Sequence, residues 1–143
     1  MLRIEGVEAA YDKTQVLFGL TLAVGRGEVV ALMGRNGMGK TTLVNCIVGV
    51  LRPSAGSISF EGAELCGLPP YRIGRLGIGL APEGRQIFPT LTVRENLVAT
   101  AANHGRLPQP WTLGRIFELF PQLKERRDQL GGTLSGGEHQ MLS

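Results

Sequence analysis

The first half of the chain alternates between short apolar runs and turns rich in glycine. Apolar runs with the length of β-strands occupy residues 2–7, 16–24, 28–33, 57–60 and 77–81. Glu61 and Gly62 follow one of these runs and predict the turn of a hairpin. The pattern therefore predicts a sheet-rich first half whose strands are joined by tight turns.

Helical spacing appears after the third apolar run and dominates the second half. Apolar residues three and four positions apart predict a helix over residues 43–51. Thr92 followed by Glu95 matches the capping box, which predicts that a helix begins there. Further helices are predicted over residues 71–75, 113–120 and 123–130, and Thr112 is the predicted cap of the second of these.

The amino-acid composition indicates which class of protein the chain belongs to. The chain has 143 residues, of which 43% are hydrophobic and 19% charged, and this suits one globular domain. The net charge of +3 comes without a long basic run, which argues against a nucleic-acid partner. No apolar run approaches the ~18 residues of a membrane span, and the first residues lack the apolar stretch of a signal peptide. We therefore expect a cytosolic protein that can lie on a membrane-bound partner.

A phosphate-binding loop pattern lies between the predicted strand at residues 28–33 and the predicted helix at residues 43–51. The pattern is G-x-x-x-x-G-K-[ST], and here, with one further threonine, it consists of Gly34, Arg35, Asn36, Gly37, Met38, Gly39, Lys40, Thr41 and Thr42. Glycines let the backbone approach a phosphate closely, while amide N–H groups and the helix start supply positive dipoles. We predict that this segment, called the P-loop below, binds the phosphates of ATP.

Lys40 and Thr41 have the side chains that phosphoryl transfer needs. The Lys40 ammonium would reach the β- and γ-phosphates as a catalytic residue, and the Thr41 hydroxyl would ligate Mg²⁺. Thr42 would add a hydroxyl near the α-phosphate. The sequence therefore predicts ATP and Mg²⁺ as cofactors.

A second motif narrows the class of NTPase. The signature segment consists of Leu134, Ser135, Gly136, Gly137 and Glu138. Together with its distance from the P-loop, it resembles the signature sequence of ATP-binding-cassette (ABC) ATPases. The whole chain resembles the first part, about 60%, of such a subunit. The resemblance implies an α/β fold of the P-loop NTPase type, with an N-terminal antiparallel β subdomain and a helical subdomain.

The resemblance also implies how the chain is organised. Residues 1–91 would form the β subdomain and the P-loop core, residues 92–133 the helical subdomain, and residues 134–143 the signature motif. Two ABC ATPase subunits would pack head to tail. The signature segment of one subunit would then contact the ATP that the P-loop of the other binds.

Three further positions are singled out by the resemblance. Tyr11 resembles the aromatic residue that stacks on adenine. Glu83 stands where most ABC proteins have glutamine, and its carboxylate would contact Mg²⁺ or the attacking water, so we name it as a catalytic and metal-binding candidate. His139 stands where the family often has glutamine, and we expect it to be a surface histidine rather than a metal ligand.

A subfamily is indicated by residues 67–73, 81–89 and 91–97, which are similar to the ATP-binding subunits of branched-chain amino acid uptake transporters. Glu at position 83 is usual in that subfamily. The resemblance implies an importer ATPase on the inner face of the cell membrane. Its partners would be integral-membrane permease subunits and, indirectly, a solute-binding protein. Importers of urea and short amides are close relatives and remain an alternative.

Two elements of the ABC pattern are not found between residues 1 and 143. They are an apolar strand that ends in Asp-Glu (the Walker B strand) and a later switch histidine, both needed for phosphoryl transfer in the family. We therefore expect a chain that ends before the Walker B strand and, by itself, does not hydrolyse ATP. The alternatives are a non-catalytic nucleotide-binding fragment, a lipid or polysaccharide exporter ATPase, and an ABC protein that acts on DNA or ribosomes.

Overall fold

Two compact units make up the chain. A computed structural model describes residues 1–82, 84, 86–101 and 109–143. The first unit is Met1–Ile78 and the second is Gly79–Ser143. Each unit has a hydrophobic cluster of its own. The expected division at residues 91 and 133 stays a prediction.

A four-stranded antiparallel sheet forms the first unit, as the sequence predicted. Its strands are β1 (Leu2–Tyr11), β2 (Thr14–Val24), β3 (Ala55–Phe60) and β4 (Ala63–Glu64). Their order across the sheet is β2-β1-β3-β4. The run at residues 16–24 is thus one strand, and the hairpin predicted at Glu61 and Gly62 joins β3 to β4.

The core of the first unit is built on β1. Ile4 and Val7 are both fully buried although they are three residues apart, a spacing that would place them on opposite faces of a regular strand. The pairing of β1 with β2 shifts register between these residues, and the bulge turns both side chains to one face. Helix α1 (Lys40–Ile47) packs Leu43 and Cys46 into the same cluster. The short helix α2 (Pro70–Arg75) adds Ile73.

The structure does not form strands at residues 28–33 or 77–81, so these two predictions are wrong. Val29 is 96% exposed and Met33 is 88% exposed. An apolar run becomes a strand only when a neighbouring strand pairs with its N–H and C=O groups. The described part of the chain provides no such neighbour for either run. Helix α1 also ends at Ile47, four residues before the predicted residue 51.

Short helices form the second unit around a small apolar cluster. They are α3 (Val93–Ala99), α4 (Leu113–Leu119), α5 (Pro121–Glu125) and α6 (Gly136–Leu142), with a 3₁₀ turn at Gly131–Thr133. Val93, Leu123, Leu134 and Leu142 form the buried cluster. Among the described residues, no helix is both long enough and apolar enough to cross a bilayer.

Two predicted helix starts in the second unit, after Thr92 and at residue 113, are confirmed, whereas α5 begins at Pro121 instead of residue 123 and ends earlier than predicted. Thr92 and Glu95 form the predicted capping box, and the Thr112 side chain caps α4. Helix α5 ends at Glu125 instead of residue 130. The backbone beyond it is engaged elsewhere, since the Val93 amide donates to the Gln129 carbonyl at 3.0 Å and Thr92 bridges to Leu130.

We expect Ile58→Ala to lower the free energy of unfolding by about 2–5 kcal/mol, because Ile58 is fully buried on β3 and truncation would leave a cavity. Urea denaturation of both forms measures the difference. The control is Val50→Ala, whose side chain is 66% exposed. Equal losses for the two variants would contradict the placement of the core on β1 and β3.

Candidate functional site

The P-loop reaches helix α1 through Gly39, which is the N-cap of that helix. Its φ of 84° lies in the left-handed region that favours glycine. A Cβ at this position would lie 2.8 Å from Leu17 Cδ2 and 3.1 Å from Val16 Cγ1, both on β2. Gly39 therefore permits the turn and also lets the loop pack directly against the sheet.

The Lys40 side chain folds back over the P-loop. Its Nζ donates hydrogen bonds to the carbonyl oxygens of Gly34 at 2.6 Å and Arg35 at 2.8 Å. The positive charge is thus held between the first residues of the loop and the start of α1. A cation in this position attracts phosphate oxygens through charge-assisted hydrogen bonds.

The start of helix α1 is suited to an anion. Gly39 provides no side chain to cap the first turn, and that turn contains no acidic residue. The N–H groups of the first turn have no intrahelical partners, and they carry the positive end of the helix dipole. The helix has eight residues, so its dipole adds to the charge of Lys40 at one place.

The two threonines of the P-loop differ in exposure. Thr41 is exposed, whereas Thr42 is 5% exposed and lies in the core. The Thr41 hydroxyl is thus accessible beside Lys40. An oxygen ligand of this kind suits Mg²⁺, which in nucleotide sites uses one or two protein oxygens together with phosphates and water. The residues present therefore fit a Mg²⁺ ion that arrives with a nucleotide.

Tyr11 lies beside the same helix. It ends β1, its side chain is 47% exposed, and its hydroxyl accepts a hydrogen bond from Asn45 Nδ2 at 3.4 Å. Asn45 follows Thr41 by four positions and therefore shares its face of α1. The structure thus brings Tyr11 and the P-loop residues together in one unit, with the aromatic ring partly open to a ligand.

An apolar cavity borders the P-loop and was not expected from the sequence. Its volume is about 290 Å³, and its walls include Leu17, Leu20 and Leu43 together with Lys40. Apolar walls are unsuited to a polyphosphate. The exposed side of the loop at Thr41 and Tyr11 is the better place for a nucleotide.

The signature segment caps the start of helix α6. The Ser135 amide donates to Glu138 Oε2 at 2.8 Å, and the Glu138 amide donates to Ser135 Oγ at 3.4 Å. Leu134 is 7% exposed and anchors the segment in the core of the second unit. Ser135, Gly136 and Gly137 are exposed.

Glu138 has a structural role that our reading of the sequence missed. Besides the cap, its Oε1 forms an ion pair with Arg126 Nε at 2.6 Å. The pattern Ser-x-x-Glu was a signal that could have revealed the cap, because it is the capping-box pattern.

The pKa of Glu138 lies below the ordinary carboxyl value of 4.5. The Ser135 amide stabilises the charged carboxylate, the Ser135 side chain adds to this, and the Arg126 charge contributes further. The pKa of Glu95 is lowered for the same reason, chiefly by the Thr92 amide. The folded chain therefore stabilises the ionised form of both carboxyl groups relative to the protonated form.

The structure thus divides the predicted site residues between two units. Tyr11 and the P-loop lie in Met1–Ile78, and the signature segment lies in Gly79–Ser143. Glu83 lies outside the described residues. No group of three or more His, Cys, Asp or Glu side chains in the described part of the chain could hold a metal ion.

Comparison with known proteins gives consistent matches along the chain. The sequence model of the ABC transporter family matches residues 17–143. The chain is 43% identical to the high-affinity branched-chain amino acid transport ATP-binding protein BraG of Pseudomonas aeruginosa. The aligned region covers all of this chain and 61% of that protein. It is 34% identical to the lipopolysaccharide export system ATP-binding protein LptB of Escherichia coli, with 99% of this chain and 59% of that protein covered. The chain therefore spans about 60% of the length of these curated relatives.

Solved structures share the fold. The structure of an ATP-binding subunit of an ABC transporter superposes with a TM-score of 0.80 at 29% identity, covering 99% of this chain and 59% of that one. A bacterial ABC transporter cassette that was solved as a dimer gives a TM-score of 0.77 at 21% identity, covering 99% and 66%. The predicted fold class is thereby confirmed.

We expect Gly39→Ala to abolish nucleotide binding, because the new Cβ would collide with Leu17 and the left-handed φ would be strained. Binding of a fluorescent ATP analogue to the protein measures the effect. Gly62→Ala is the matched control, since Gly62 also has a positive φ but nothing lies within 4 Å of its Cβ position. Unchanged binding by the Gly39 variant would contradict the observed packing of the loop against β2.

We expect Glu138→Gln to weaken the acid dependence of stability. The folded pKa of Glu138 is below 4.5, so its stabilisation is complete above that value and is lost as the pH falls through the folded pKa. Thermal unfolding midpoints from about pH 6 to pH 3 measure this dependence. The control is Glu118→Gln, on the exposed surface of α4. An acid-dependent loss as steep as in the unsubstituted protein would refute the role of the Glu138 carboxylate.

Proposed function

This chain belongs to the ABC transporter family, and from that premise we propose that it binds ATP for an importer of branched-chain amino acids or a related small polar solute. The importer is favoured by sequence similarity, since BraG is 43% identical and LptB 34% identical over nearly the whole chain. A branched-chain amino acid transport protein of Archaeoglobus fulgidus, LivF, also matches at 34%. Import of urea or short amides remains the alternative substrate class.

One observation supports nucleotide binding most directly. The Lys40 ammonium lies 2.6 Å from the Gly34 carbonyl oxygen and 2.8 Å from that of Arg35, at the start of a helix without a side-chain cap. Charge, helix dipole and backbone amides thus converge on one place, which is the arrangement that binds a polyphosphate. Residues 34–42 bind the ATP phosphates in this proposal, and Tyr11 stacks on the adenine.

Mg²⁺ accompanies the nucleotide in this proposal. Thr41 provides the protein oxygen for the ion, and Glu83 is a second candidate from the sequence. When bound with ATP, Mg²⁺ neutralises charge that develops on the phosphates. Lys40 contributes to the same stabilisation as the catalytic cation, because its ammonium already lies against the loop that receives the phosphates.

The signature segment acts on a second subunit in this proposal. Ser135, Gly136 and Gly137 are exposed at the start of α6 and offer a hydroxyl and backbone amides. A cassette that shares the fold was solved as a dimer, and in this proposal two ABC ATPase subunits pair head to tail. Permease subunits of the membrane and, through them, a solute-binding protein complete the proposed assembly. The chain would thus lie on the cytoplasmic side of the cell membrane.

Two other functions are favoured by particular observations. An exporter ATPase is the first alternative, because the chain is 34% identical to LptB. A nucleotide-binding piece without hydrolysis is the second alternative, and the chain spans 61% of the length of BraG. Sequencing the reading frame beyond codon 143 tests the second alternative. Hydrolysis requires an apolar strand that ends in acidic residues, so finding such a strand would exclude a piece without hydrolysis. Uptake of labelled leucine by the assembled transporter distinguishes an importer from the exporter of the first alternative.

We expect Lys40→Ala to lower ATP turnover by at least about 100-fold in the product of the complete reading frame, because the charge on the developing phosphate is lost. Phosphate release at saturating ATP measures the effect. Lys124→Ala is the control, since Lys124 is an exposed lysine of helix α5. Full turnover by the Lys40 variant would refute the proposal. Lys40-dependent turnover by the 143-residue chain alone would refute the expected need for further residues.

A further inference from the structure

The peptide group of Gly131 joins the signature segment to a loop that lies far away in sequence. Its N–H donates to the Leu91 carbonyl oxygen at 2.7 Å, and the next amide, of Gly132, donates to the Pro89 carbonyl oxygen at 3.0 Å. The turn that leads into the signature segment is therefore held against residues 88–91. Two consecutive hydrogen bonds leave this backbone little freedom to shift.

Gly131 is also closely packed, so a side chain there would require its neighbours to shift by a few tenths of an ångström. A Cβ there would lie 3.1 Å from the Phe88 carbonyl oxygen, 3.1 Å from Ile87 Cδ1 and 3.2 Å from Asn96 Nδ2. Each of these distances is shorter than ordinary van der Waals contact. The turn is thus a fixed point of the second unit, held by two backbone hydrogen bonds and by close contacts with Ile87, Phe88 and Asn96.

Asn96 fixes the loop from the other side. It is 5% exposed, and its Oδ1 accepts a hydrogen bond from the Phe88 amide at 2.8 Å. Its Nδ2 donates to the carbonyl oxygens of Phe88, Leu91 and Thr92 at 2.9–3.2 Å. A buried amide with both ends satisfied in this way holds the loop in one conformation. The loop to which Gly131 is hydrogen-bonded is therefore itself held in place by Asn96.

His139 connects helix α6 to this fixed point. Its Nε2 lies 2.8 Å from the Gly131 carbonyl oxygen. A carbonyl oxygen only accepts hydrogen bonds, so Nε2 carries the proton and donates. The same carbonyl accepts the Leu134 amide at 3.2 Å. One oxygen thus receives a bond from the segment before the helix and another from the helix itself.

The position of Ser135 depends on this connection. The His139 amide donates to the Ser135 carbonyl oxygen at 2.9 Å, so the two residues are joined through the first turn of α6. Ser135, Gly136 and Gly137 are exposed and have few packing neighbours to hold them. On one side the Arg126 ion pair with Glu138 restrains the turn, and the His139 side chain restrains it against Gly131.

We propose that His139 is a positioning residue for ATP turnover, because its Nε2–H bond to the Gly131 carbonyl sets where α6 begins and where the Ser135 hydroxyl lies. This inference rests on the proposed function, in which Ser135 acts on the nucleotide of a second subunit. His139 itself touches no nucleotide. A glutamine at this position can replace the histidine, since its amide nitrogen is an uncharged donor of similar reach.

The test compares His139→Gln with His139→Leu in the product of the complete reading frame. We expect His139→Leu to lower kcat about tenfold, the usual effect of losing one positioned hydrogen bond, with KM for ATP unchanged. KM should not change because the P-loop, which binds the nucleotide of the same subunit, belongs to the unit Met1–Ile78, whereas His139 belongs to the other unit. His139→Gln should retain at least half of kcat. Gln140→Leu is the matched control, on the same helix with an exposed side chain.

Three outcomes of the kinetic test overturn the inference. A folded His139→Leu variant with unchanged kcat shows that the bond does not matter for turnover. Equal losses in the Gln and Leu variants show that the donor group is not the cause. If the Leu variant does not fold, His139→Asn replaces it, because its shorter amide does not reach Gly131, and full kcat in that variant overturns the inference.

Amide hydrogen exchange separates this inference from the proposed function. We expect faster exchange at residues 136–138 in His139→Leu than in Gln140→Leu, because the start of α6 loses its connection to the fixed turn. Equal exchange in the two variants overturns the positioning role. If the unsubstituted protein showed no Lys40-dependent turnover, the proposed function would fall, and exchange would still decide whether His139 fixes the start of α6.

Discussion

The first unit depends on the close contact between Gly39 and β2. The P-loop, the sheet and helix α1 meet where Gly39 lies against Val16 and Leu17, with no room for a side chain. This contact fixes where α1 starts, and the start of α1 fixes where Lys40 and Thr41 lie. The Lys40 ammonium can then hydrogen-bond to the loop, so packing of apolar groups determines the place of a charge.

Hydrogen bonds rather than apolar packing determine the geometry of the second unit near its signature segment. The apolar cluster is small, with Val93, Leu123, Leu134 and Leu142 at its centre. Buried polar groups with all partners satisfied give a unique arrangement where the core is limited. Asn96 and the Gly131 peptide serve this purpose, and the Ser135 cap extends the network to the exposed end of α6.

The two units also differ in how much of their chemistry could be predicted. The P-loop pattern depends on residues that are adjacent in the chain, so ATP binding could be predicted from the sequence, and this prediction agrees with the family of the chain. The partners of Glu138 and His139 are Arg126 and Gly131, which lie 12 and 8 positions away. Only the capping box of Ser135 and Glu138 had a local signal, the Ser-x-x-Glu pattern, and the sequence analysis assigned Glu138 to the binding motif instead.

The sequence by itself determined the antiparallel strands at residues 2–7, 16–24 and 57–60, the caps at Thr92 and Thr112, and the nucleotide class. These features depend on local alternation, capping side chains and short motifs. Only the tertiary structure decided that residues 28–33 and 77–81 are not strands, because a strand requires a hydrogen-bonding neighbour that a local pattern does not reveal. It also decided that α5 ends at Glu125, since the backbone beyond it pairs with residues at the start of α3.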